Sequence, residues 1–205
     1  MKYNVLILGA SGKTGREVVA QAVATGHVVT GFVRDSAKLE RDDVAVAVGD
    51  ARSVDDLRKA LRGQDSVIST LGTNRGDDKR LIESSTVALV EAMRTTGVKR
   101  LVMLSTFAAS PTFEARGLMR VVRIGMRGIV GDKTAGETLL KRSDLDWTIV
   151  YAARLTDGPR TGGYRVVDGP VTSMGAISRA DLADALLATL SDATSVRQSR
   201  VVTSR

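Results

Sequence analysis

Three glycines near the start of the chain have the spacing of a phosphate-binding turn. Gly9, Gly12 and Gly15 follow the apolar run 5–8 and precede an amphipathic segment, so they join a predicted strand to a predicted helix. The first glycine permits a tight turn, the second lets backbone approach a pyrophosphate, and the third lets helix and strand pack closely. Backbone N–H groups and the positive helix end then bind the anion. The predicted cradle consists of Gly9, Ala10, Ser11, Gly12, Lys13, Thr14 and Gly15.

The pattern is not that of a nucleoside-triphosphatase loop, which has four residues between its glycines and then Gly-Lys-Ser/Thr. The second predicted strand ends in Arg34, where NAD-binding proteins carry an acid for the ribose 2′-hydroxyl. A guanidinium suits a 2′-phosphate, and Lys13, Ser36 and Lys38 are within reach of the same group. We therefore expect NADP(H) as the cofactor. The alternative for Arg34 is a solvated charge at a strand end.

The elements that position these residues alternate along the chain. Apolar runs with β-branched residues predict strands at 3–8, 27–33, 44–48, 66–71, 100–104 and 147–150. Helical spacing predicts helices at 16–24, 53–61, 77–96, 133–142 and 178–190. The stretch 158–163 is predicted to be a flexible turn. This alternation indicates an α/β fold with a doubly wound parallel sheet, the Rossmann fold, in one domain over 1–205 with small substrate-side insertions near the C-terminus.

Composition excludes several classes of function. The chain has no Cys and only His27 as histidine, which rules out thiolate metal sites, disulfides and a histidine triad, so we expect no metal. A formal charge of +7 would suit nucleic acid, but aromatic residues make up 3% and the basic residues are dispersed. Small anionic molecules are the better partners. Without a secretion signal or a membrane-length apolar run, we expect a cytoplasmic monomer or weak homo-oligomer that contacts no membrane.

Further stretches carry a family resemblance. They are GASGKTG at 9–15, VRDSAKL at 33–39, VAVGD at 46–50, DSVISTLGT at 65–73, GVKRLV at 97–102, DKTAGE at 132–137, LTDGP at 155–159 and ISRADLA at 177–183. The chain resembles an atypical short-chain dehydrogenase/reductase, of the group with biliverdin-IXβ reductase/flavin reductase and NmrA-like proteins. The resemblance implies cofactor contacts by Asp50 and Ala51 at the adenine, by Leu71, Gly72 and Thr73 along the ribose and pyrophosphate, and by Ser105, Thr106 and Lys133 near the nicotinamide.

The usual catalytic pair of that superfamily is missing. Tyr-x-x-x-Lys supplies the acid in ordinary members, whereas Tyr3, Tyr151 and Tyr164 are followed four residues later by Ile7, Leu155 and Asp168. This favours acceptors that draw their proton from solvent, such as flavins and quinones. The candidate catalytic residues are Thr106, Lys133 and Arg154.

Each of these candidates has a structural alternative. Lys133 could orient the cofactor or polarise the acceptor, or it could be a surface lysine near a helix start. Thr106 could donate to an acceptor carbonyl or bond only backbone. Arg154 replaces part of a Pro-Pro-His-like stretch of biliverdin-type relatives, which argues against tetrapyrrole specificity.

Four arginines in the segment 116–127 recur at helical spacing. Arg116, Arg120, Arg123 and Arg127 are separated by four, three and four residues, which predicts one basic helical face. That face is either a solvated surface or a charged lid for an anionic acceptor.

The sequence predicts an NADPH-dependent reductase of a flavin, quinone or related conjugated acceptor. A non-catalytic NADP-binding redox sensor of NmrA-like type is the main alternative, and an epimerase-like enzyme is a further one.

Overall fold

The fold is an α/β arrangement around one large sheet. The computed structural model describes residues 2–39, 41–73, 78–113, 118–167 and 175–205. Within them the strands are β1 (Asn4–Leu8), β2 (Val28–Val33), β3 (Ala45–Val48), β4 (Ser66–Ser69), β5 (Arg100–Thr106), β6 (Asp146–Ala152), β7 (Arg154–Thr156), β8 (Tyr164–Val167), β9 (Ala176–Ser178) and β10 (Gln198–Ser204). The α-helices are α1 (Lys13–Ala24), α2 (Val54–Ala60), α3 (Leu81–Thr96), α4 (Leu118–Gly125), α5 (Arg127–Lys141) and α6 (Arg179–Ser191).

The large sheet has the strand order β3-β2-β1-β4-β5-β6-β10-β8. Neighbouring strands pair in parallel throughout, except that β8 is antiparallel to β10. The order reverses between β1 and β4, and ligands of such sheets bind at the carboxyl ends of the strands beside that reversal. The predicted doubly wound Rossmann sheet is confirmed.

Two apolar cores lie on opposite faces of the sheet. Along β1, Val5 and Ile7 belong to the core shared with α1 and α6, whereas Leu6 and Leu8 belong to the core shared with α2, α3 and α5. This alternation follows from the period of two in a strand, and it explains why the run reads as continuously apolar.

Several helix ends are set by capping residues that can be recognised in the sequence. The Ser53 hydroxyl accepts a hydrogen bond from the backbone N–H of Asp56 at 3.2 Å, which caps α2. The Ser178 hydroxyl does the same for α6, accepting from the N–H of Asp181 at 3.0 Å. The end of α3 is set by Gly97, whose φ of +79° lies in the left-handed region.

The last quarter of the chain departs from prediction. The strand at 147–150 is not the last of the sheet, because β10 pairs with β6 and carries β8 on its outer edge. A second small sheet pairs β7 with β9 in parallel. These strands are short or begin with polar residues, so their apolar pattern is weak.

The stretch 158–163 is irregular, but it is tied down rather than a free turn. The carboxylate of Asp181 accepts from the N–H groups of Thr161 at 2.7 Å and Gly162 at 2.8 Å, and from the Thr161 hydroxyl at 2.8 Å. The predicted turn therefore has fixed hydrogen-bond partners on α6, and its flexibility stays a prediction.

Two helix starts also differ from the prediction. The helix predicted at 133–142 begins six residues earlier, at Arg127. The helix predicted from residue 77 begins at Leu81, and residue 77 itself lies outside the described residues. The first difference determines the position of Lys133 within α5, and the second determines where α3 is capped.

Candidate functional site

The turn between β1 and α1 has the geometry of a phosphate cradle. Gly9 has a φ of +76°, which favours glycine. Its carbonyl oxygen accepts from the N–H of Gly12 at 3.0 Å, which closes the turn. A Cβ on Gly15 would lie 2.8 Å from the carbonyl carbon of Gly9, so a larger residue there would push the helix away from the strand. Gly9 and Gly15 thus perform the turn and packing tasks that their spacing predicts, and Gly12 between them is exposed.

The start of α1 is open to an anion. Gly12 precedes the helix in an extended conformation and provides no side-chain cap, and the first turn of the helix carries no acidic residue. The N–H groups of that turn, including those of Lys13 and Thr14, therefore remain available to a ligand. Ala10 is fully buried, Ser11 is partly buried and Thr14 is buried.

Neighbouring elements hold the cradle in place. The Thr70 hydroxyl, just beyond β4, donates to the carbonyl oxygen of Leu8 at 2.9 Å. On the other side, Arg16 donates from Nε to the carbonyl oxygen of Ser11 at 3.0 Å and from Nη2 to that of Lys38 at 2.9 Å. Arg16 thereby links the cradle to the loop after β2, a role that sequence reasoning missed.

Charged side chains gather where β2 and β3 end. Arg34 follows β2 directly and is exposed, and Asp50 lies two residues beyond β3. Arg52 donates to both carboxylate oxygens of Asp50, the shortest distance being 2.6 Å from Nη2. These hydrogen bonds, together with the charges of Arg52 and Arg34, hold the pKa of Asp50 below its ordinary value. Arg52 therefore binds the Asp50 carboxylate, the charge of Arg34 acts on the same carboxylate, and Ala51 beside it is buried.

Lys13 does not join this group. Its Nζ lies 3.5 Å from a carboxylate oxygen of Asp157, and both side chains are well exposed. Asp157 also accepts from Arg179 at 2.5 Å. The structure thus directs Lys13 toward the loop after β7 rather than toward Arg34, and the expected grouping of the two residues is not present.

The ends of β4 and β5 define the opposite half of the site. Ser105 and Thr106 are the last residues of β5, and Ser105 is buried whereas Thr106 is half-buried. Leu71, Gly72 and Thr73 follow β4 without regular structure, and Gly72 is exposed. Because β4 and β5 are adjacent and parallel, their carboxyl ends bring these residues to one edge of the sheet.

Lys133 lies between these two strand ends. It is the seventh residue of α5 and is buried, so the expectation of a lysine near a helix start is wrong. Its ammonium donates to the carbonyl oxygen of Leu104 at 3.2 Å and to that of Leu71 at 3.5 Å. Burial lowers the pKa of Lys133, while the charges of Glu137 and Asp132 act in the opposite direction. An ammonium donates three hydrogen bonds, and the carbonyl groups of Leu71 and Leu104 account for two of them within the described residues.

Below Lys133 lies a buried polar cluster of Ser105, Glu137 and Tyr151, which we call the Glu137 cluster. The two oxygens of the Glu137 carboxylate accept from the hydroxyls of Ser105 and Tyr151, each at 2.5 Å. Burial raises the pKa of Tyr151, and the charge of Glu137 raises it further. Sequence reasoning did not find Glu137. The signal for it was its spacing of four residues from Lys133, which places both on one face of α5.

A small pocket adjoins the lysine. It lies between α3 and the ends of β4 and β5, and two of its lining residues, Leu71 and Leu104, supply the carbonyl groups that accept from Lys133. Its wall also includes Ser85, whose buried hydroxyl oxygen has no partner within the described part of the chain. The pocket is too small for a dinucleotide.

The position of the missing tyrosine is now defined. The residue four before Lys133, where Tyr-x-x-x-Lys would place its acid, is Ile129, which is 43% exposed. The phenol of Tyr151 does not replace it, since its hydroxyl is held by Glu137 beneath the site.

The remaining predicted residues lie at the rim. Arg154 is exposed at the start of β7, and its backbone N–H donates to the carbonyl oxygen of Gly175 at 3.1 Å. The predicted single arginine face is wrong, because α4 ends at Gly125 and Arg127 begins α5. Arg120 and Arg127 are exposed, Arg116 lies outside the described residues, and nothing is described of the side chain of Arg123.

No helix in the described ranges is long and apolar enough to cross a membrane. Across the same residues, no group of three or more His, Cys, Asp or Glu side chains is placed to hold a metal ion.

A glycine cradle at the switch point of a doubly wound parallel sheet defines a dinucleotide-binding protein of the Rossmann class. A family model described as NAD(P)H-binding matches residues 9–193. The chain belongs to this NAD(P)H-binding family, as the predicted resemblance implied.

Relatives and solved structures resemble the chain over most of its length. YwnB of Bacillus subtilis, an uncharacterized protein, is 28% identical over 166 residues, which cover 78% of this chain and 76% of YwnB. A short-chain dehydrogenase/reductase of Veillonella parvula, solved in complex with NADP, superposes with a TM-score of 0.79 at 19% identity, covering 98% of this chain and 94% of its own. ChuY of Escherichia coli O157:H7, described as an anaerobillin reductase, superposes with a TM-score of 0.80 at 22% identity, covering 98% and 97%.

Proposed function

We propose that this protein is an NADPH-dependent reductase that transfers hydride to a flavin, a quinone or a related conjugated acceptor. The observation that carries the proposal is the placement of Lys133, a buried ammonium between the ends of β4 and β5, beside Ser105 and Thr106 and with no phenol at position 129. The arrangement can hold a nicotinamide ribose, but it offers no tyrosine to protonate an alkoxide.

The residues fit the proposed cofactor along the whole carboxyl edge of the sheet. The cradle N–H groups and the open end of α1 bind the pyrophosphate. Arg34 binds the 2′-phosphate, with Asp50 and Ala51 beside the adenine. Preference for NADPH over NADH rests on Arg34 standing where NAD-binding proteins carry an acid.

At the other end, Lys133 and the residues after β4 fix the ribose. Lys133 uses the N–H that Leu71 and Leu104 leave over. Thr106, half-buried at the end of β5, donates to the acceptor carbonyl, and Arg154 faces the acceptor from the rim. The bound cofactor supplies the hydride, and the chain contributes the fixed approach of donor and acceptor, which is a large source of rate in such reactions.

The missing acid favours the class of acceptor. A conjugated acceptor distributes the incoming negative charge over several atoms, so it takes its proton from solvent and needs no positioned tyrosine. An alcohol-forming reduction of a simple ketone would need that acid at position 129, where this chain has Ile129. The reductase activity described for ChuY is consistent with this proposal.

A second candidate is a redox sensor that binds NADP(H) without turning it over. The same observation supports it, because a site without an acid binds the cofactor equally well. The two proposals differ in one property, the consumption of NADPH in the presence of an acceptor.

The test combines binding with turnover. Calorimetry first measures the affinity for NADPH, and the loss of NADPH absorbance is then followed with FMN, riboflavin and a panel of small quinones under anaerobic conditions. Turnover with any of these acceptors, reduced by Lys133→Met and unaffected by Lys141→Met at the exposed end of the same helix, supports the reductase. Tight binding with no turnover across the panel refutes the reductase and supports the sensor.

A further inference from the structure

Lys133 carries its charge in a buried position, and the chain provides a specific group to balance it. The exposed surface of Lys133 is 8% of its maximum and that of Glu137 is 3%. The two residues are four apart on α5, so their side chains leave the same face of the helix at neighbouring positions. A buried ammonium without a nearby counter-charge would lose its proton, since desolvation disfavours the charged form.

The Glu137 carboxylate is held in place by its own partners. It accepts one hydrogen bond on each oxygen, from Ser105 at 2.5 Å and from Tyr151 at 2.5 Å. Two hydroxyl donors match the acceptor capacity of a charged carboxylate, one on each oxygen. The donors come from β5 and β6, so the negative charge is fixed to the sheet rather than to α5 alone.

The other acid beside Lys133 is already engaged elsewhere. Asp132 accepts from the backbone N–H groups of Ile82 at 3.0 Å and Glu83 at 2.9 Å, which caps α3. Its carboxylate is thus directed at a helix end with positive charge of its own. Glu137 is therefore the acid in the cluster that is available to balance Lys133.

We propose that Glu137 is a positioning residue of the nicotinamide site: fixed by Ser105 and Tyr151, its carboxylate keeps Lys133 a cation that holds the cofactor ribose. This inference rests on the proposed function for the role of Lys133, and it adds the residue that makes that role possible at neutral and mildly alkaline pH. The Ser105 hydroxyl donates its proton to Glu137. Toward the cofactor site, Ser105 can therefore act only as a hydrogen-bond acceptor.

The sign of the pH dependence follows from the charges. Cofactor binding that needs protonated Lys133 is complete below the pKa of Lys133 and is lost as the pH rises through it. Removal of the Glu137 charge lowers that pKa, so the loss starts at a lower pH. A nearby opposite charge moves a pKa by about 1–3 units. Because Glu137 acts on Lys133 through its charge and no direct ion pair joins the two within the described residues, we expect a displacement of about one to two pH units.

Other titratable groups near Lys133 do not change the sign. Tyr151 stays protonated through the range, because burial raises its pKa. Glu83 on α3 is paired with Arg80 at the surface, at 2.8 Å. On β5, Arg100 lies at the opposite end of the strand and donates to the carbonyl oxygens that end α6.

The experiment measures NADP⁺ binding by calorimetry from about pH 7 to about pH 10, where the 2′-phosphate is already ionised. Glu137→Gln is compared with the unmodified protein and with Glu91→Gln, which removes the same charge from the surface of α3. We expect the alkaline loss of affinity to move down by about one to two units in Glu137→Gln and to stay within a few tenths of a unit in Glu91→Gln. An unmoved loss in Glu137→Gln, or an equal displacement in Glu91→Gln, overturns the inference.

A second measurement does not depend on the Gln variant folding. The Nζ resonance of Lys133, assigned by its absence in Lys133→Met, is titrated in ¹⁵N-lysine-labelled protein without cofactor. An ammonium signal that persists at pH 8 agrees with the inference, and a neutral amine at that pH contradicts it. The proposed function fails separately, through absence of NADP⁺ binding in the unmodified protein at pH 7, whatever the charge of Lys133.

Discussion

Replacement of Arg34 tests the assignment of the 2′-phosphate and yields a magnitude from the structure. Arg34 is exposed at the end of β2, and its charge acts on Asp50, which already accepts from Arg52 at 2.6 Å. A charge-assisted hydrogen bond contributes about 1.5–3 kcal/mol, and exposure together with the nearby carboxylate places Arg34 at the low end, about 1.5–2 kcal/mol. Since about 1.4 kcal/mol is a factor of ten, Arg34→Ala should weaken NADPH binding about 10- to 30-fold.

The discriminating feature is the comparison between cofactors. NADH lacks the 2′-phosphate, so its affinity for Arg34→Ala should stay within about twofold of the unmodified protein. Arg34→Asp should go further and favour NADH, because an acid at this position can accept from the 2′-hydroxyl. Arg62→Ala is the matched control, since it removes the same charge from an exposed position between α2 and β4, at the amino edge of the sheet.

Calorimetric titration of both cofactors at fixed salt measures these affinities. Equal losses for NADPH and NADH in Arg34→Ala would show that the arginine acts on the fold or on the pyrophosphate. Unchanged preference in both variants would refute the 2′-phosphate assignment.

Three further predictions concern the cradle, α3 and the acceptor. Gly15→Ala should lower the free energy of unfolding by about 1–3 kcal/mol and weaken cofactor binding, because its Cβ would lie 2.8 Å from the Gly9 carbonyl carbon. Urea unfolding measures this loss of stability. Gly128→Ala is the control, because open space surrounds Gly128 and the substitution should not destabilise the protein. Asp132→Ala should lower the free energy of unfolding by about 1–2 kcal/mol, because the cap of α3 is lost. The side chain of Asp55 is 77% exposed, so Asp55→Ala should change the free energy of unfolding by less than about 0.5 kcal/mol. Equal effects of the two substitutions would disprove the cap. Thr106→Val should lower kcat/KM for the acceptor about tenfold and leave the NADPH affinity unchanged. Thr138→Val is the control, because the exposed Thr138 hydroxyl on α5 donates only to the Thr134 carbonyl oxygen, at 2.8 Å. An unchanged kcat/KM in Thr106→Val would remove Thr106 from the site.

Residues that act through the backbone were the most predictable part of the molecule. The spacing of Gly9, Gly12 and Gly15 specifies a turn with one possible stereochemistry, and the structure has that turn. The central strands could be located because burial on both faces makes their sequences continuously apolar. The short strands β7–β10 carry no such signal, and their pairing depends on partners distant in sequence.

The polar floor of the site was less predictable, for a physical reason. Glu137 and Tyr151 are 14 residues apart, and only the packing of α5 on β6 brings the carboxylate to the phenol. Lys133 was found through its motif, but its burial depended on the start of α5, which lies at Arg127 without a side-chain cap to announce it. Arg52 was missed because its contact with Asp50 depends on side-chain conformation, which a loop sequence does not specify.

Single-turnover oxidation of NADPH deuterated at C4 is the most direct test of the central claim, that this site transfers hydride to a conjugated acceptor. The two epimers, labelled on opposite faces of the nicotinamide, are mixed in turn with protein and the best acceptor of the panel. A cradle that fixes the cofactor between Lys133 and Thr106 presents one face to the acceptor, so one epimer should react more slowly than unlabelled NADPH and the other at the same rate. Absence of NADPH oxidation, or equal rates for both epimers and the unlabelled cofactor, would contradict the account.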